Sequence, residues 1–320
     1  MQPQISVDTK GVLRIAFGRN DSIFCATSVN QGATFSVPVL VGKVTGMHLG
    51  MSRGPQIASS AATSLITAMD KAGDIHFFQL NNNKGAWLSK GYVNDLRFSA
   101  PEGLMGLAAD NNDHFYSVWL DTRQEKNNNI YFSSLNAAQK VWSKNTLVYQ
   151  SPDGHVCECC KPSIAVKNNQ VAIMFRNWIG GSRDMYLLQS TNAGGNFRPA
   201  QKLGEGTWPL NACPMDGGGL IIDNKGGIQT TWQRQGIVYT CKPGEPEIKR
   251  VNGRGPAIAY SSKTDKWLVS YQEGELSKLT NTEGKQRENI KGSFMKLMIL
   301  NNGKSVYVWE SNKMIRFKQS

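Results

Sequence analysis

Long hydrophobic runs are missing from this sequence. It contains no stretch of about 18 consecutive apolar residues, so we expect no membrane-spanning helix. Its first residues lack a basic stretch followed by an apolar one, so no export signal is visible. No signature of an RNA- or DNA-binding module is present, and the net charge of +12 comes from scattered lysines and arginines. We therefore expect an anionic small molecule or a glycan as a partner, and no nucleic acid.

Apolar residues at helical spacing are also hard to find, and a different period organises the chain. Short apolar segments begin at prolines that lie 42 to 61 residues apart. In each unit two apolar runs flank a turn of Asn, Asp, Lys or Gly, which is the pattern of a β-hairpin, and most units contain a second hairpin. The segments begin at Pro3, Pro55, Pro101, Pro162, Pro214 and Pro256, with a seventh copy at Gly292.

Such four-stranded units predict an all-β chain, a β-propeller that takes up residues 1–320 as a single domain. The last unit has only three evident strands, and residues 1–3 are too few to supply a fourth. We therefore expect seven blades with an imperfect ring closure, and keep six blades as the alternative.

The repeat also predicts which residues share a face. In a four-stranded blade, the start of the first strand and the loop between the second and third strands lie at the same end. Residues just before each repeat proline should therefore surround the axis at one face, which we call the mouth. The candidate residues in these segments are His48, Arg53, His155, Cys157, Cys159, Cys160, Cys213 and Arg254.

The cysteines favour a soft-metal site at this mouth. Cys157, Cys159 and Cys160 precede the fourth unit, and Cys213 precedes the fifth, whose inner strand should lie beside the fourth. Thiolates, assisted by imidazole nitrogen, select copper, especially Cu(I), or zinc, whereas calcium and magnesium prefer oxygen. The nitrogen ligands would be His155 or His48, and the thioethers of Met51 and Met215 are further candidates. The function would then be metal binding or a metal-dependent oxidation.

Two other interpretations of the cysteines stay open. An exported propeller could join blades through disulfides, and the protein would then be a noncatalytic binding propeller. Alternatively, Cys157 could be a nucleophile with His155 as its base. Cys25 and Cys241 fall in third strands, where we expect buried structural residues.

Two turns share the pattern Ser-x-Asn-x-Gly-x-x-Phe, at residues 28–35 and 190–197. In this pattern Asn bonds to the turn backbone, Gly takes a positive φ, and the aromatic ring packs under the hairpin. The pattern resembles the Asp-box, or BNR repeat, of the sialidase-like propellers. That resemblance implies the propeller fold and an exported protein, periplasmic or extracellular.

The resemblance also implies an exo-acting glycoside hydrolase that binds a carboxylated sugar through three arginines. Arg53, in SRGPQIASS, is similar to the arginine of the family's Arg-Ile-Pro motif, although here the motif is Arg-Gly-Pro in the second unit. Arg176 and Arg254 are the candidates for the other two, since paired guanidinium hydrogen bonds suit a carboxylate.

The same family uses an aspartate as acid/base and a tyrosine nucleophile with a glutamate partner. Asp74, or else Asp70, is the candidate for the aspartate. Tyr260 is the candidate nucleophile, with Glu273 or Glu275 beside it. If the protein is an enzyme, the candidates are thus a metal-dependent oxidoreductase and a sialidase-type glycoside hydrolase.

Overall fold

The computed structural model describes residues 1–83, 85–124 and 126–320. Within these ranges every regular element is a β-strand, and the strands form seven antiparallel sheets arranged as the blades of a propeller. The prediction of an all-β, seven-bladed propeller is confirmed, and the six-bladed alternative is wrong. No helix that could span a membrane occurs among the described residues.

The first three blades each contain four strands, and in each sheet neighbouring strands follow one another in the chain. Blade 1 consists of β1 (Gln4–Val7), β2 (Leu13–Arg19), β3 (Ser22–Ser28) and β4 (Val39–Lys43). Blade 2 consists of β5 (Gln56–Ser59), β6 (Thr63–Met69), β7 (Ile75–Asn81) and β8 (Trp87–Tyr92). Blade 3 consists of β9 (Met105–Ala109), β10 (His114–Gln124), β11 (Asn127–Asn136) and β12 (Thr146–Tyr149).

The next three blades repeat this order, and the last blade has three strands. Blade 4 consists of β13 (Ser163–Lys167), β14 (Gln170–Arg176), β15 (Met185–Ser190) and β16 (Gln201–Lys202). Blade 5 consists of β17 (Gly218–Ile222), β18 (Ile228–Arg234), β19 (Ile237–Cys241) and β20 (Ile248–Asn252). Blade 6 consists of β21 (Arg254–Ser261), β22 (Lys266–Glu273), β23 (Leu276–Asn281) and β24 (Gln286–Lys291). Blade 7 consists of β25 (Ser293–Ile299), β26 (Ser305–Ser311) and β27 (Met314–Gln319).

The core consists of apolar layers between neighbouring blades, because each sheet is apolar on both faces. Between blades 2 and 3, Phe77 meets Trp142 edge-on with ring centroids 5.8 Å apart, and Trp119 is fully buried. The Trp119 indole N–H donates to the Asp121 carboxylate at 2.8 Å, so its one polar atom is satisfied. Burial of such side chains contributes about 1.5–3 kcal/mol each and holds the blades together face to face.

The two Ser-x-Asn-x-Gly-x-x-Phe turns have the same hydrogen bonds. In the first, Ser28 Oγ accepts from the N–H of Gly32 at 2.9 Å, and Asn30 accepts from the N–H of Thr34 at 3.0 Å. Gly32 has a φ of 88°, which a side chain would strain. The second turn repeats these contacts with Ser190, Gly194, Asn192 and Asn196. The pattern therefore has a structural role at the face opposite the mouth.

The ring closes by packing rather than by a shared strand. The carboxylate of Glu310 in blade 7 accepts from the N-terminal amine and from the N–H of Gln2. Phe35 of blade 1 meets Phe317 of blade 7 edge-on, with centroids 4.8 Å apart. The predicted imperfect closure thus corresponds to a three-stranded last blade held by side-chain contacts.

An ion pair within blade 5 also binds the segment that follows β16 of blade 4. The largely buried carboxylate of Glu247 accepts from Arg234 at 2.6 Å and from the backbone N–H groups of Glu205 and Gly206. Burial alone would raise the pKa of Glu247, but the N–H donor of Glu205 and the Arg234 guanidinium outweigh it and lower the pKa to about 2.

Glu247→Gln should reduce the free energy of unfolding at pH 7 by about 3 kcal/mol, because it leaves a buried guanidinium without its anion. The folded pKa lies below the unfolded one, so this stabilisation is complete above the unfolded pKa and is lost as pH falls towards about 2. Urea unfolding should therefore show a smaller difference at about pH 3 than at pH 7. Glu245→Gln, at an exposed ion pair, is the control, and an equal loss at both pH values would contradict this assignment.

Candidate metal centre and the axial mouth

Three thiols converge in the segment that joins blade 3 to blade 4. Cys157 Sγ lies 3.7 Å from Cys159 Sγ and 3.3 Å from Cys160 Sγ, and all three sulfurs are within 4.8 Å of one another. All three side chains are buried. The segment is fixed because the N–H of Cys157 donates to the carbonyl of Arg176, at the end of β14. The three donors are therefore preorganised at the start of the fourth blade.

Arg183 supplies the positive charge beside these thiols. Its Nη1 donates to Cys157 Sγ at 2.9 Å, its Nε donates to the carbonyl of Leu210, and its guanidinium lies 4.5 Å from the ring centroid of Trp178. Hydrogen bonds with Cys159 and Cys160, followed by the charge of Arg183, hold the pKa of Cys157 well below its usual range. Burial raises the pKa of Cys160. Cys157 therefore loses its proton more readily than Cys160 does.

Cys213 lies beside this group but is exposed. Its hydrogen bond with Cys159, followed by partial burial, raises the pKa of Cys213 to about 11. The four cysteines of the sequence prediction thus lie at one place, three buried and one at the surface. All six cysteines of the chain are free thiols in the structure, and an interblade disulfide stays an untested alternative.

The two candidate histidines lie outside the compact thiol group. His155 stacks on Trp178 at 6.1 Å, and its Nδ1 lies 3.8 Å from the carboxylate of Glu158. His48 Nε2 lies 2.9 Å from the carbonyl of Pro101, to which it can only donate, and burial lowers the pKa of His48. A ligand or base role for either ring stays a prediction.

The three candidate arginines have three different environments. Arg53 donates to the carbonyl of Glu102 at 2.5 Å and lines a cavity on the axis. Arg176 is buried, and its terminal nitrogens donate to the carbonyls of Arg183 and Gln233 at 2.9 Å each. Arg254 is exposed and lines a second pocket at the mouth. A joint role in holding a carboxylate stays a prediction, and Arg176 has two of its donors engaged by the backbone.

Asp74, the candidate acid/base, is also committed to a local contact. Its buried carboxylate accepts two hydrogen bonds from Arg97, at 2.7 and 2.6 Å, and one from the N–H of Phe98. The Arg97 hydrogen bonds hold the pKa of Asp74 below its usual range. This environment favours a permanent anion, whereas an acid catalyst at neutral pH needs a raised pKa. Its neighbour Asp70 bonds to His76 at 2.8 Å.

The assignment of Tyr260 with Glu273 or Glu275 is wrong on geometry. Tyr260 pairs with Trp267 beside the β21–β22 turn, and its hydroxyl donates to Asp265 at that face. Glu273 and Glu275 lie at or beyond the other end of β22, at the mouth. An antiparallel hairpin separates these ends by its full length, so the residues cannot act on one substrate atom.

A pocket of about 410 Å³ opens at the mouth between blades 5, 6 and 7. Its lining includes three exposed apolar side chains, those of Met51, Met215 and Phe294, together with Arg254 and Gln272. The three apolar residues have φ values of 51°, 50° and 56°. Left-handed backbone at bulky residues is strained and tends to occur where a protein binds a ligand.

The sequence prediction did not select several residues that matter here. Arg183 lies in the loop between β14 and β15, and in the sequence nothing distinguishes it from a solvent-exposed arginine. Only the fold shows its contact with Cys157. Lys161 and Lys296 line the axial cavity, although the second is an ordinary residue of an inner strand in the sequence. Phe294 could have been selected from the sequence, because it is an aromatic residue directly before the apolar run of the seventh unit.

No protein-family model matches this chain, and no curated relative was found. The likeness is to solved propeller structures. An alpha-L-arabinanase from Penicillium chrysogenum, complexed with arabinobiose, has a TM-score of 0.58 at 15% identity and covers 85% of this chain and 88% of its own. An ulvan lyase has a TM-score of 0.62 at 8% identity, with 97% and 90% covered.

A fucose-specific lectin from Aleuria aurantia has a TM-score of 0.54 at 14% identity, with 83% of this chain and 91% of its own covered. At these identities the likeness establishes the propeller fold alone. Membership of the sialidase-like family therefore stays a prediction.

Arg183→Gln should raise the pKa of the Cys157 thiol, because it removes the cation in contact with its sulfur. Ultraviolet absorbance of the thiolate, followed through an acid titration of the metal-free protein, measures this change. Cys25 and Cys213 have pKa values raised to about 12 and about 11, so they do not contribute in the acid range. Cys157→Ser should abolish the acid-range signal; if the signal persists in that variant, another thiol carries the charge.

Proposed function

We propose that the protein binds a soft metal ion, Cu(I) in preference to zinc, through Cys157, Cys159 and Cys160. The observation that carries this proposal is the convergence of three buried sulfurs within 4.8 Å of one another, with Arg183 against one of them. Structural thiols packed only as small apolar groups need no such guanidinium contact. A preformed thiolate next to two more thiols is a ready set of soft ligands.

The donor set favours Cu(I). The compact group contains sulfur alone, with no imidazole or carboxylate, and thiolates select Cu(I), zinc or iron–sulfur clusters over hard cations. Zinc usually takes four protein ligands in a structural site, so it would need Cys213 as well. Three thiolates suffice for a three-coordinate Cu(I) ion, and the exposed Cys213 is then placed to meet an arriving ion first.

We propose binding or transfer of the ion rather than oxidation of a substrate by it. Catalytic metal sites keep an open position for substrate or water, whereas Cys157 and Cys160 are almost completely buried. Binding requires deprotonated sulfur, so Cu(I) must displace the proton of Cys160, whose pKa is raised by burial. Affinity should therefore fall as pH is lowered.

Titration of the reduced protein with Cu(I), against a competing chelator and without oxygen, tests this function. We expect one ion per chain, and at least about a 100-fold weaker affinity in Cys157→Ser, because loss of a ligand should exceed the effect of losing an outer-shell partner. Cys25→Ser and Cys241→Ser are matched controls, since both thiols are buried outside the group. The proposal fails if the protein takes up no stoichiometric copper, or if the controls lose as much affinity as Cys157→Ser.

We propose glycan binding at the mouth pocket as a second function. Its support is the exposed apolar surface of Met51, Met215 and Phe294 beside Arg254 and Gln272, since sugar rings stack on apolar surfaces while their hydroxyls need polar groups. Two proteins with the propeller fold also support this proposal: the arabinanase is complexed with arabinobiose, and the lectin is specific for fucose. The arginine-dependent hydrolase stays an expectation of the sialidase resemblance.

Phe294→Ala should weaken retention on immobilised glycans at least about tenfold, because full burial of a phenylalanine side chain contributes about 1.5–3 kcal/mol. Phe98→Ala is the matched control: Phe98 is also an exposed phenylalanine with a positive φ, but it lies outside the pocket. Equal retention of the two variants on every glycan that binds the unchanged protein would rule out this pocket.

A further inference from the structure

A second cavity, of about 210 Å³, lies on the axis of the propeller. Residues of all seven blades, or of the segments that lead into them, form its walls, and this places it at the centre of the ring. It shares Ser52, Asp216, Gly255, Phe294 and Lys296 with the mouth pocket, so the two are continuous. The volume far exceeds the roughly 15 Å³ that one water molecule requires.

The lining of this axial cavity has an excess of positive charge. Arg53, Lys161 and Lys296 contribute cations, and Asp216 is the one acidic residue among the lining residues. Lys161 Nζ donates to the neutral amide oxygen of Gln56, and among the described residues neither lysine forms an ion pair. Cations removed from bulk water are costly unless an anion accompanies them. Burial lowers the pKa of Lys296, so an anion bound in the cavity would stabilise the charged form of this lysine.

An unsatisfied hydrogen-bond donor in the same wall gives an independent indication. Gln2 is buried, with an exposed fraction of 3%, and its Oε1 accepts from the N–H of Gly50 at 3.1 Å. Its Nε2 is buried without a partner in the structure. An unsatisfied buried donor costs about 1–3 kcal/mol, so a ligand oxygen at this position would be stabilising.

We infer that the axial cavity binds one small oxyanion group, a carboxylate or a phosphate or sulfate group, between Lys161, Lys296 and the amide of Gln2. Arg53 contributes a further basic side chain to the lining. The anion is either a free ion or the charged end of a larger ligand that lies in the continuous mouth pocket. This site includes none of the three clustered thiols, although Lys161 directly follows Cys160, so Lys296 is the residue that tests the two sites separately.

Anion-dependent thermal stabilisation at constant ionic strength tests the inference, with inorganic phosphate, acetate and glucuronate as probes. We expect a saturable rise in Tm, and at least about tenfold weaker binding in Lys296→Met, because a hydrogen bond to a charged group contributes about 1.5–3 kcal/mol. Lys304→Met, which removes an exposed lysine outside the cavity, is the control. Cu(I) uptake should be unchanged in Lys296→Met, which separates failure of this site from failure of the metal site.

Gln2→Glu keeps an acceptor for Gly50 and places a carboxylate among the cations. We expect this variant to have a higher Tm than the unchanged protein without added anion, and to lose the response to all three probes. A stronger response to glucuronate than to acetate identifies the charged end of a sugar as the occupant, whereas a response to phosphate alone identifies a phosphate or sulfate group. No saturable response, or equal losses in Lys296→Met and Lys304→Met, would overturn the inference.

Discussion

Face-to-face packing of neighbouring blades around one axis is the constraint on which the rest of this structure depends. The inner strands approach so closely that a Cβ on Gly217 would lie 2.6 Å from the carbonyl oxygen of Lys161 in the preceding blade. Because every first strand must reach the axis, the segment before each strand is forced to the same mouth. Cys159 and Cys213, 54 residues apart in number, become neighbours for this reason.

The electrostatics of the thiol group follow from the same packing. A buried thiolate would be unfavourable alone, and Arg183 offsets this cost because Trp178 and the carbonyl of Leu210 hold its guanidinium against Cys157. The axial cavity differs, since its lining includes three basic side chains and Asp216 as the one acidic residue. The fold thus places a guanidinium beside the Cys157 sulfur and basic side chains around the axis.

The fold could be predicted because its information is local: each hairpin has its own turn residues, and the 42–61 residue spacing repeats them. The position of the cysteine group followed from the same repeat. Contacts that depend on side-chain direction could not be predicted. Arg176 was a candidate for binding a carboxylate, yet two backbone carbonyls accept from its terminal nitrogens, while Arg183, which was not a candidate, contacts the Cys157 sulfur. Tyr260 was misassigned although its position beside the first hairpin turn of blade 6 already placed it at the opposite face.

We propose that three sulfurs at the start of the fourth blade form one soft-metal site. X-ray absorption spectroscopy of the protein loaded with Cu(I) measures the element and number of the ligand atoms most directly. We expect the atoms coordinated to the Cu(I) ion to be sulfur alone, from Cys157, Cys159 and Cys160. A shell dominated by nitrogen or oxygen, as His155 or His48 would supply, would contradict it.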